Sequence, residues 1–329
     1  MRSLNLSMPL RSINQAEIAP GTRVLMRSSL NVPISDSGKV ADDFRLFKIL
    51  PTLQLLLEHK AKVTLISHIG SDGSASLAPV ETRLRELLPG DYSVHENLRI
   101  DPREKLGDES FAKGLAQGFD IFVNEDFPAS HRPHASIIGL PKFLPSYIGF
   151  QFKSEIEHLS KFVNPPSGAI LILGGAKLTT KLPLIQAFLP KVDKIFLGSF
   201  YLKERANLPN DEKIILPGDS THIEGDVVDI GPETLAQMCS AVARASSIIW
   251  NGPLGKFEAG YNKTTEDLAK AIANSGAKSV VGGGDSIASI RKLNLLDKFT
   301  FVSTGGGAML DFLTQGTLPG IEAIKSSKL

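Results

Sequence analysis

The stretch Ser279-Val-Val-Gly-Gly-Gly-Asp-Ser286 decides the fold, and the stretch Ser303-Thr-Gly-Gly-Gly-Ala308 repeats its pattern further along the chain. In each, a short apolar run ends in three glycines, and an amphipathic pattern that predicts a helix follows. A strand that passes through glycine into a helix leaves backbone N–H groups at the helix N-terminus, where they bind anions, usually phosphates. One triplet is equally typical of a tight strand–helix turn. Two in tandem, one carrying Asp285, favour a site for a polyphosphate or for a transferring phosphoryl group.

Apolar runs rich in Val, Ile and Leu alternate with helical patterns along the chain. This alternation predicts an α/β fold with mainly parallel sheets that helices cover on both faces. A chain of 329 residues exceeds the usual size of one core, so two domains are expected, with a boundary at the proline-rich segment 163–168. The predicted strands are 24–26, 62–66, 120–123, 169–173, 194–197, 213–216, 247–250, 279–281 and 300–302.

The composition gives no support to several classes of protein. A net charge of +1 gives no basic field for nucleic acid, and a single cysteine forms neither an intrachain disulfide nor a cysteine-based metal site. The first residues lack the apolar core of a secretory signal, and no run is long and apolar enough for a membrane span. The sequence therefore predicts a cytoplasmic protein without nucleic-acid or membrane partners.

Polar side chains follow the predicted strands of the N-terminal half. The carboxyl ends of parallel strands meet at one edge of a sheet, where ligands bind. Several arginines at such an edge suit a small polyanion, because the guanidinium group binds carboxylate and phosphate oxygens in pairs. Each arginine alone is equally typical of a surface salt bridge, but the placement of the set favours a site. The polar segments are 27–31, 67–70, 96–99, 124–126 and 131–134, and Arg45 lies in the helical pattern after the first of them.

In the C-terminal half, Gly174-Gly175 ends a predicted strand, and Lys177 and Lys181 follow with the spacing of one helix face. The next turn-rich loop, 250–258, contains Glu258, which could hold a ribose; a purely structural loop with Trp250 in the core is the alternative. The usual phosphate-loop and dinucleotide fingerprints are absent. A hard cation such as Mg²⁺ is expected with phosphates near Asp285.

In this order, the polar and glycine-rich segments resemble the phosphoglycerate kinase family over nearly the whole chain. The resemblance rests on many short motifs, each of them weak alone. They are Arg27-x-x-x-Asn31-Val-Pro33, Arg45, Ser67-His-Ile-Gly70, Ser76-Leu-Ala-Pro-Val80, Glu96-Asn-Leu-Arg99, Val123-Asn124, His131-Arg-x-His-Ala-Ser136, Gly174-Gly-Ala-Lys-x-x-x-Lys181, Asp229-Ile-Gly-Pro232, Trp250-Asn-Gly-Pro-Leu-Gly-x-Phe-Glu258, Gly282-Gly-Gly-Asp285, Ser303-Thr-Gly-Gly-Gly-Ala308 and Leu318-Pro-Gly320.

The resemblance implies two Rossmann-like domains facing a cleft. Residues 1–153 with the tail 315–329 would bind the acid substrate, 154–167 would form an interdomain helix and hinge, and 168–314 would bind the nucleotide. The implied reaction moves the γ-phosphoryl group of ATP, held with Mg²⁺, to the carboxylate of 3-phosphoglycerate and gives an acyl phosphate. A monomer is expected, with an acyl-phosphate-reducing dehydrogenase as a downstream partner.

The resemblance also implies roles for individual residues. Arg45, Lys177 and Lys181 would act on the transferring phosphoryl group. The acid would be held by Arg27, Ser29, Asn31, His68, Ser71, Arg99 and Arg132, where Ser29 and Ser71 occupy substrate-binding positions of the family. The nucleotide would contact Gly174, Lys181, Gly198, Asn251, Pro253, Glu258, Gly282, Gly283, Gly284, Asp285, Ser286, Gly305, Gly306 and Gly307, with Asp285 at the metal.

The chain departs from the family pattern at several places. Ser29 stands where the family has the aspartate that grips the substrate hydroxyl, and Ser71 stands where it has a phosphate-binding arginine. Asn-Asp-Ala-Phe-Gly-Thr is replaced by 124–129, an aspartate by Thr180, and Gly-Gly-Gly-Met by 198–201. A strand–helix segment before Val94 and a helix after Tyr201 are missing relative to the family.

The departures concern substrate and base recognition, whereas the residues implied in phosphoryl transfer remain. This pattern favours a kinase specialised for an anionic analogue of 3-phosphoglycerate, altered near its hydroxyl or phosphate; a phosphonate is one hypothesis. Two alternatives stay open. One is ordinary 3-phosphoglycerate kinase activity, with Asp72 or Glu125 replacing lost contacts, and the other is a non-catalytic protein that binds nucleotide or a protein partner.

Overall fold

The computed structural model describes residues 10–176 and 178–327, which form two compact units. Among the described residues, unit 1 comprises 10–156 with 317–327, and unit 2 comprises 157–316. The predicted phosphoryl-transfer residue Lys177 lies outside the described residues. No helix in the described ranges is long and apolar enough to cross a membrane.

Unit 1 is built on a five-stranded parallel sheet in the order β3-β2-β1-β4-β5. Its strands are β1 Arg23–Ser28, β2 Lys62–Ile66, β3 Tyr92–Val94, β4 Ile121–Glu125 and β5 Ser146–Ile148. Its helices are α1 Phe44–Glu58, α2 Ala78–Leu87, α3 Arg103–Leu106, α4 Glu109–Ala116 and the start of α5 Phe150–Val163. Short 3-10 turns lie at Ile13–Gln15, Leu98–Ile100, Phe127–Ala129 and Leu140–Lys142, and a π-helical turn lies at Ala135–Gly139.

Helix α1 shows how the sequence builds this unit. Leu46, Ile49, Leu53 and Leu56 recur at helical spacing, so they share one face, and all four are buried in the core against the sheet. Strand β1 lies in the middle of the sheet between β2 and β4. Its residues 24–28 are therefore buried throughout rather than in alternation.

Unit 2 contains a six-stranded parallel sheet in the order β13-β12-β11-β6-β7-β8, and a separate antiparallel pair, β9 and β10. Its strands are β6 Ala169–Leu173, β7 Lys194–Leu197, β8 Ile214–Ile215, β9 Ser220–Ile223, β10 Asp226–Ile230, β11 Ser247–Asn251, β12 Lys278–Gly282 and β13 Phe301–Val302. Its helices are α6 Leu178–Phe188, α7 Pro232–Val242, α8 Lys263–Asn274, α9 Gly284–Lys292 and α10 Gly307–Gln315. The 3-10 turns are Ser199–Leu202, Arg205–Asn207, Phe257–Ala259 and Leu296–Lys298.

A last helix, α11 Pro319–Lys325, belongs to unit 1 although it follows all of unit 2 in the chain. It packs against the π-helical turn, and the Gly320 amide donates to the Ser130 carbonyl at 2.9 Å. Leu318, Ile321 and Ile324 are buried there. This segment is thus a structural part of unit 1.

The α/β fold with two parallel-sheet units of the Rossmann-like type is confirmed, and several strand predictions need correction. The runs 213–216 and 300–302 form only the two-residue strands β8 and β13, because edge strands have a neighbour on one side only. The edge strands β3 and β5 and the β9–β10 pair were not predicted. They are short or solvent-exposed and lack the long apolar run of a buried strand.

We expect Ile172→Ala to destabilise unit 2 by about 2–5 kcal/mol, because it leaves a cavity beneath a fully buried position of a central strand. Denaturant unfolding followed by Trp250 fluorescence measures the change. The matched control is Ile223→Ala on β9, where the side chain is 47% exposed and the change should cost far less. Equal losses for the two variants would contradict the burial of Ile172.

Candidate active site

The sheet of unit 1 brings the predicted acid-binding segments to one edge. In the parallel register, Arg27 pairs with Ile66 of β2 on one side and with Asn124 of β4 on the other. The chain leaves β1 towards β2 and later returns on the opposite side as β4, so this edge contains the topological switch point where α/β sheets bind ligands. The segments after β1, β2, β3 and β4 therefore surround one location.

Arg27 is completely buried and is satisfied by the protein itself. Its Nε donates to Ser136 Oγ at 3.0 Å, and its Nη1 donates to the Ser28 carbonyl at 3.0 Å and to Ser67 Oγ at 3.2 Å. Asp126 forms an ion pair with Nη1 at 2.6 Å. Arg27 thus holds together the segments that follow the strands. Its guanidinium group is enclosed by protein groups and is not open to a ligand.

The same guanidinium fixes the protonation state of His68. Arg27 Nη2 lies 2.8 Å from His68 Nδ1, and because arginine can only donate, Nδ1 must be the acceptor. The proton of the neutral ring is therefore on Nε2. Burial, reinforced by the charge of Arg27, lowers the pKa of His68 far below its usual range. His68 is a neutral N–H donor at any physiological pH.

An open pocket of ≈520 Å³ lies among the segments that follow β1, β2, β3 and β4. Four of the predicted acid-binding residues line it: Asn31, Ser71, Arg99 and Arg132. The other predicted residues, Arg27, Ser29 and His68, are buried and do not line it. Gly70 and His134 also line it and belong to the predicted polar segments 67–70 and 131–134, whereas Lys105 lies outside every predicted segment. The motif around Arg132 pointed to His134, whereas no pattern in the sequence marked Lys105.

Three cationic side chains, Arg99, Lys105 and Arg132, line the pocket. In the described parts of the chain, no carboxylate lies within 4 Å of Arg99, Lys105 or Arg132, and none lines the pocket. Arg99 is nearly buried and its Nε has no hydrogen-bond partner; burial, with Arg132 and Arg27 adding to it, lowers the pKa of Arg99. Burial and the same arginines lower the pKa of His134 to about 4, so its ring is neutral. Such a cluster attracts an anion.

The two carboxylates of 124–129 have other partners. Glu125 is buried and accepts hydrogen bonds from Thr52 Oγ1 at 2.5 Å and from the amides of Gln151 and Phe152 at 3.0 Å, so it caps the N-terminus of α5. Burial raises the pKa of Glu125 to about 7. Asp126 is buried against Arg27. Neither carboxylate reaches the pocket.

Arg45, near the start of α1, is half-buried and donates from Nη1 to the Asn31 carbonyl at 2.9 Å. Burial lowers its pKa, and the charges of Asp126, Glu155 and Asp42 act in the opposite direction. The guanidinium is thus held beside Asn31, which lines the pocket.

The sheet of unit 2 has its own switch point, between β6 and β11. Asn251 pairs with Leu173 in register, and beyond the strands the Gly174 amide donates to the Asn251 carbonyl at 2.9 Å and the Gly175 amide to the Pro253 carbonyl at 2.8 Å. A Cβ on Gly174 would overlap the Pro253 carbonyl oxygen, so only glycine fits. The two strand ends are therefore joined by their backbones.

Lys181 lies in the first turns of α6 and points into this junction. Its Nζ donates to the carbonyls of Gly174 and Asn251 and is almost completely buried. Burial lowers the pKa of Lys181 to about 8, and the charge of Asp285 raises it. The ammonium is therefore mostly protonated at neutral pH, at the switch point of the sheet.

The two glycine triplets both lead into helices, as predicted. Gly283, with φ +101°, precedes α9, and Gly306, with φ +50°, precedes α10; both conformations disfavour other residues. Asn251 Nδ2 donates to the Gly306 carbonyl at 3.5 Å, which links β11 to the second triplet. Two helix N-termini thus face the same end of the sheet as Lys181.

A pocket of ≈310 Å³ opens beside these turns. Predicted residues that line it are Pro253, Glu258 and Asp285; Gly175, Ala176, Phe200, Gly255, Lys256, Phe257 and Ala259 complete it. Burial and the charge of Glu258 raise the pKa of Asp285. The apolar side chains of Phe200 and Phe257 fit the ring of a nucleobase. The two carboxylates, Glu258 and Asp285, fit a hard cation.

Some predicted nucleotide residues do not line this pocket. Ser286 is completely buried, and the Gly198 amide donates a hydrogen bond to the Leu173 carbonyl at 2.8 Å. Gly305 and Gly306 do not line the pocket, and Asn251 donates to the Gly306 carbonyl. Trp250 is buried with its Nε1 donating to the Gly252 carbonyl at 2.9 Å, so the loop 250–258 has both a structural end and a pocket-lining end.

Comparisons with known proteins identify the family of the chain. The family model described as phosphoglycerate kinase matches residues 13–95, 78–204 and 199–316. The phosphoglycerate kinase of Coprothermobacter proteolyticus is 37% identical, over 95% of this chain and 98% of its own length. The chain belongs to the phosphoglycerate kinase family.

Solved structures of the family support the same conclusion. Phosphoglycerate kinase from Coxiella burnetii superimposes with a TM-score of 0.76 at 31% identity, covering 96% of this chain and 99% of that one. The enzyme from Pyrococcus horikoshii gives a TM-score of 0.86 at 27% identity, covering 96% and 98%. The family consists of kinases that use ATP and ADP with a small-molecule substrate.

The chain is shorter than these relatives. Its alignment with the Coprothermobacter protein runs over 388 positions, more than the 329 residues of this chain, so some segments of the relative have no counterpart here. The expected sites of these losses, before Val94 and after Tyr201, stay predictions.

We expect Lys181→Ala to reduce ATP turnover by at least about 100-fold, because it removes a preorganised charge beside the phosphate turns. A coupled ATP-turnover assay with 3-phosphoglycerate and its analogues measures the loss. Acid binding, measured by calorimetry, should stay nearly unchanged. Lys298→Ala, on an exposed turn of the same unit, is the control and should leave turnover intact. Full turnover in Lys181→Ala would refute a role for this lysine.

We expect Glu125→Gln to flatten the dependence of stability on pH. The pKa of Glu125 is raised from 4.5 to about 7, so the folded state holds the proton more tightly than the unfolded state. Stability should therefore fall as pH rises from about 4.5 to 7 in the natural protein. Denaturant unfolding at a series of pH values measures the slope, and Glu109→Gln at an exposed position is the control. An unchanged slope in Glu125→Gln would contradict the buried carboxyl.

Proposed function

We propose that the protein transfers the γ-phosphoryl group of ATP to the carboxylate of a small acid that also carries a dianionic group, and that it produces an acyl phosphate. The observation that carries this proposal is the pocket of unit 1, where Arg99, Lys105 and Arg132 are unpaired with carboxylates in the described chain. The acid substrate would occupy this pocket, and ATP would occupy the pocket beside the glycine turns of unit 2.

The chemistry asks little covalent work of the protein. A carboxylate oxygen of the acid attacks the γ-phosphorus, the new O–P bond forms, and the bond between the γ-phosphorus and the β,γ-bridging oxygen breaks to release ADP. The acid is already ionised, so no general base is needed, and the neutral His68 fits a donor role. Arg45 and Lys181 would neutralise the charge that spreads over the transferring group.

The residues of the unit 2 pocket fit Mg²⁺ with nucleotide. Asp285 and Glu258 provide carboxylate oxygens. Among the described residues, no group of three or more His, Cys, Asp or Glu side chains is arranged to hold a metal ion. Magnesium typically takes one or two carboxylates together with phosphate oxygens and water. When bound, the ion would supply positive charge to the phosphates. Asp285 would hold it; burial and the charge of Glu258 raise the pKa of this carboxyl.

We infer that the acid differs from 3-phosphoglycerate near its hydroxyl group. The family aspartate at that position is Ser29, and no carboxylate lines the pocket to replace it. Glu125 caps α5, and Asp72 accepts from the Ser74 amide at 3.0 Å and from Ser74 Oγ at 2.7 Å. Loss of one partner of a buried charged hydrogen bond costs about 2–5 kcal/mol. These contacts favour an analogue over ordinary 3-phosphoglycerate kinase activity.

The product defines the reaction that must follow. An acyl phosphate hydrolyses readily and is a good substrate for reduction to an aldehyde, so a dehydrogenase is the expected consumer. We also propose that the protein acts as a monomer.

The test is an ATP-turnover screen over 3-phosphoglycerate, its phosphonate isostere, acids altered at the hydroxyl, and glycerate. We expect the highest kcat/KM with an acid that keeps a dianionic group and is altered at the hydroxyl. If 3-phosphoglycerate is turned over most efficiently, the altered-substrate proposal is wrong and the ordinary activity holds. If no acid is turned over while ATP still binds, the protein is a non-catalytic member of the family.

A further inference from the structure

Lys105 lines the acid pocket, but the family resemblance assigns it no role. It shares the pocket with Ser71, which stands where the family has an arginine that binds the phosphate of the substrate. Serine carries no charge, so the cation of the family is absent at position 71. Lys105 contributes a cationic side chain to the lining of the same pocket.

The helix that carries Lys105 is anchored at two points. The neighbouring Glu104 is completely buried and accepts from the Ser136 amide at 2.9 Å and from Ser136 Oγ at 2.6 Å. At the end of α3, a Cβ on Gly107 would lie 2.6 Å from the Pro133 carbonyl oxygen, so the helix end packs directly on the chain between Arg132 and His134. These contacts set Lys105 beside Arg132 and His134.

The loop with Ser71 is anchored on the other side of the pocket. Asn97 Nδ2 donates to the carbonyls of Ile69 and Ala75 at 2.8 Å, and the Gly70 amide donates to Asn31 Oδ1 at 3.0 Å. A Cβ on Gly73 would collide with the backbone of Arg99. Position 71 is therefore fixed in the same pocket as Lys105, and the charge of Lys105 reaches the loop, since it helps to lower the pKa of Asp72.

We propose that Lys105 is a specificity-determining residue that, with Arg99 and Arg132, binds the dianionic phosphate or phosphonate group of the acid in place of the cation absent at position 71. The buried Arg99 Nε without a partner and the lack of any lining carboxylate provide the anion site to which Lys105 contributes. The inference deepens the proposed function and depends on it only for the identity of the acid.

It follows that the two serine departures have different consequences. The charge lost at Ser71 is restored from another element of the fold, so the substrate keeps its dianion. The charge lost at Ser29 is not restored, because Glu125 and Asp126 are buried elsewhere. The change of substrate therefore lies at the hydroxyl end.

The test compares Lys105→Met with the control Lys113→Met, at an exposed position of α4 in the same unit. The probes are 3-phosphoglycerate, its phosphonate isostere 2-hydroxy-4-phosphonobutanoate, and glycerate, and Kd is measured by calorimetry on the full chain without nucleotide. We expect Lys105→Met to weaken the binding of both dianions by about tenfold or more and to leave glycerate unchanged. Weakening of one dianion alone would show which of the two chemistries Lys105 recognises.

A second variant provides the rescue. Ser71→Arg in the Lys105→Met background places a cation back in the same pocket and should restore dianion binding, as should Lys105→Arg in the natural background. Dianion binding by Lys105→Met equal to that of Lys113→Met, an equal loss for glycerate, or no dianion binding by the natural protein would overturn the inference. Because binding is measured without ATP, Lys105-dependent binding without turnover would refute the proposed reaction and leave the assignment of Lys105 intact.

Discussion

The buried charge of Arg27 is the constraint on which unit 1 depends. A guanidinium without solvent must find its partners within the protein, since an unpaired buried charge is very costly. Its partners come from the segments after β2 and β4 and from the π-helical turn, namely Ser67, His68, Asp126 and Ser136. Satisfying one side chain thus fixes the ends of several strands relative to each other. Because Asp126 neutralises Arg27, the charge that a ligand meets comes from Arg99, Lys105 and Arg132.

In unit 2, hydrogen bonds between backbone groups fix the strand ends relative to each other. The ends of β6 and β11 are joined by amide-to-carbonyl hydrogen bonds, and this close approach is open only to glycine. The carbonyls of Gly174 and Asn251 then hold the ammonium of Lys181 inside the junction. One unit therefore arranges charged side chains around an open pocket, while the other arranges backbone dipoles and one buried cation beside its glycine turns.

Much of this could be read from the sequence, for physical reasons. Buried parallel strands need apolar runs, so β1, β2, β4, β6, β7, β11 and β12 were found, and helix N-termini after strands need glycine, so both triplets were placed correctly. What a side chain contacts was harder to predict. Arg27 looked like a ligand-binding residue but is enclosed, because its direction depends on Asp126 and Ser136, far away in sequence. Lys105 gave no signal, because it reaches the pocket only through the packing of α3, whereas Phe200 lies in the stretch 198–201 that departs from the family pattern.

The position of α11 has a consequence for how the protein is made. Unit 2 is formed by one continuous segment, whereas unit 1 needs residues 317–327, whose apolar side chains pack on the π-helical turn. During synthesis, all of unit 2 leaves the ribosome before this helix does. Unit 2 therefore has its whole chain available for its core before unit 1 has its last helix.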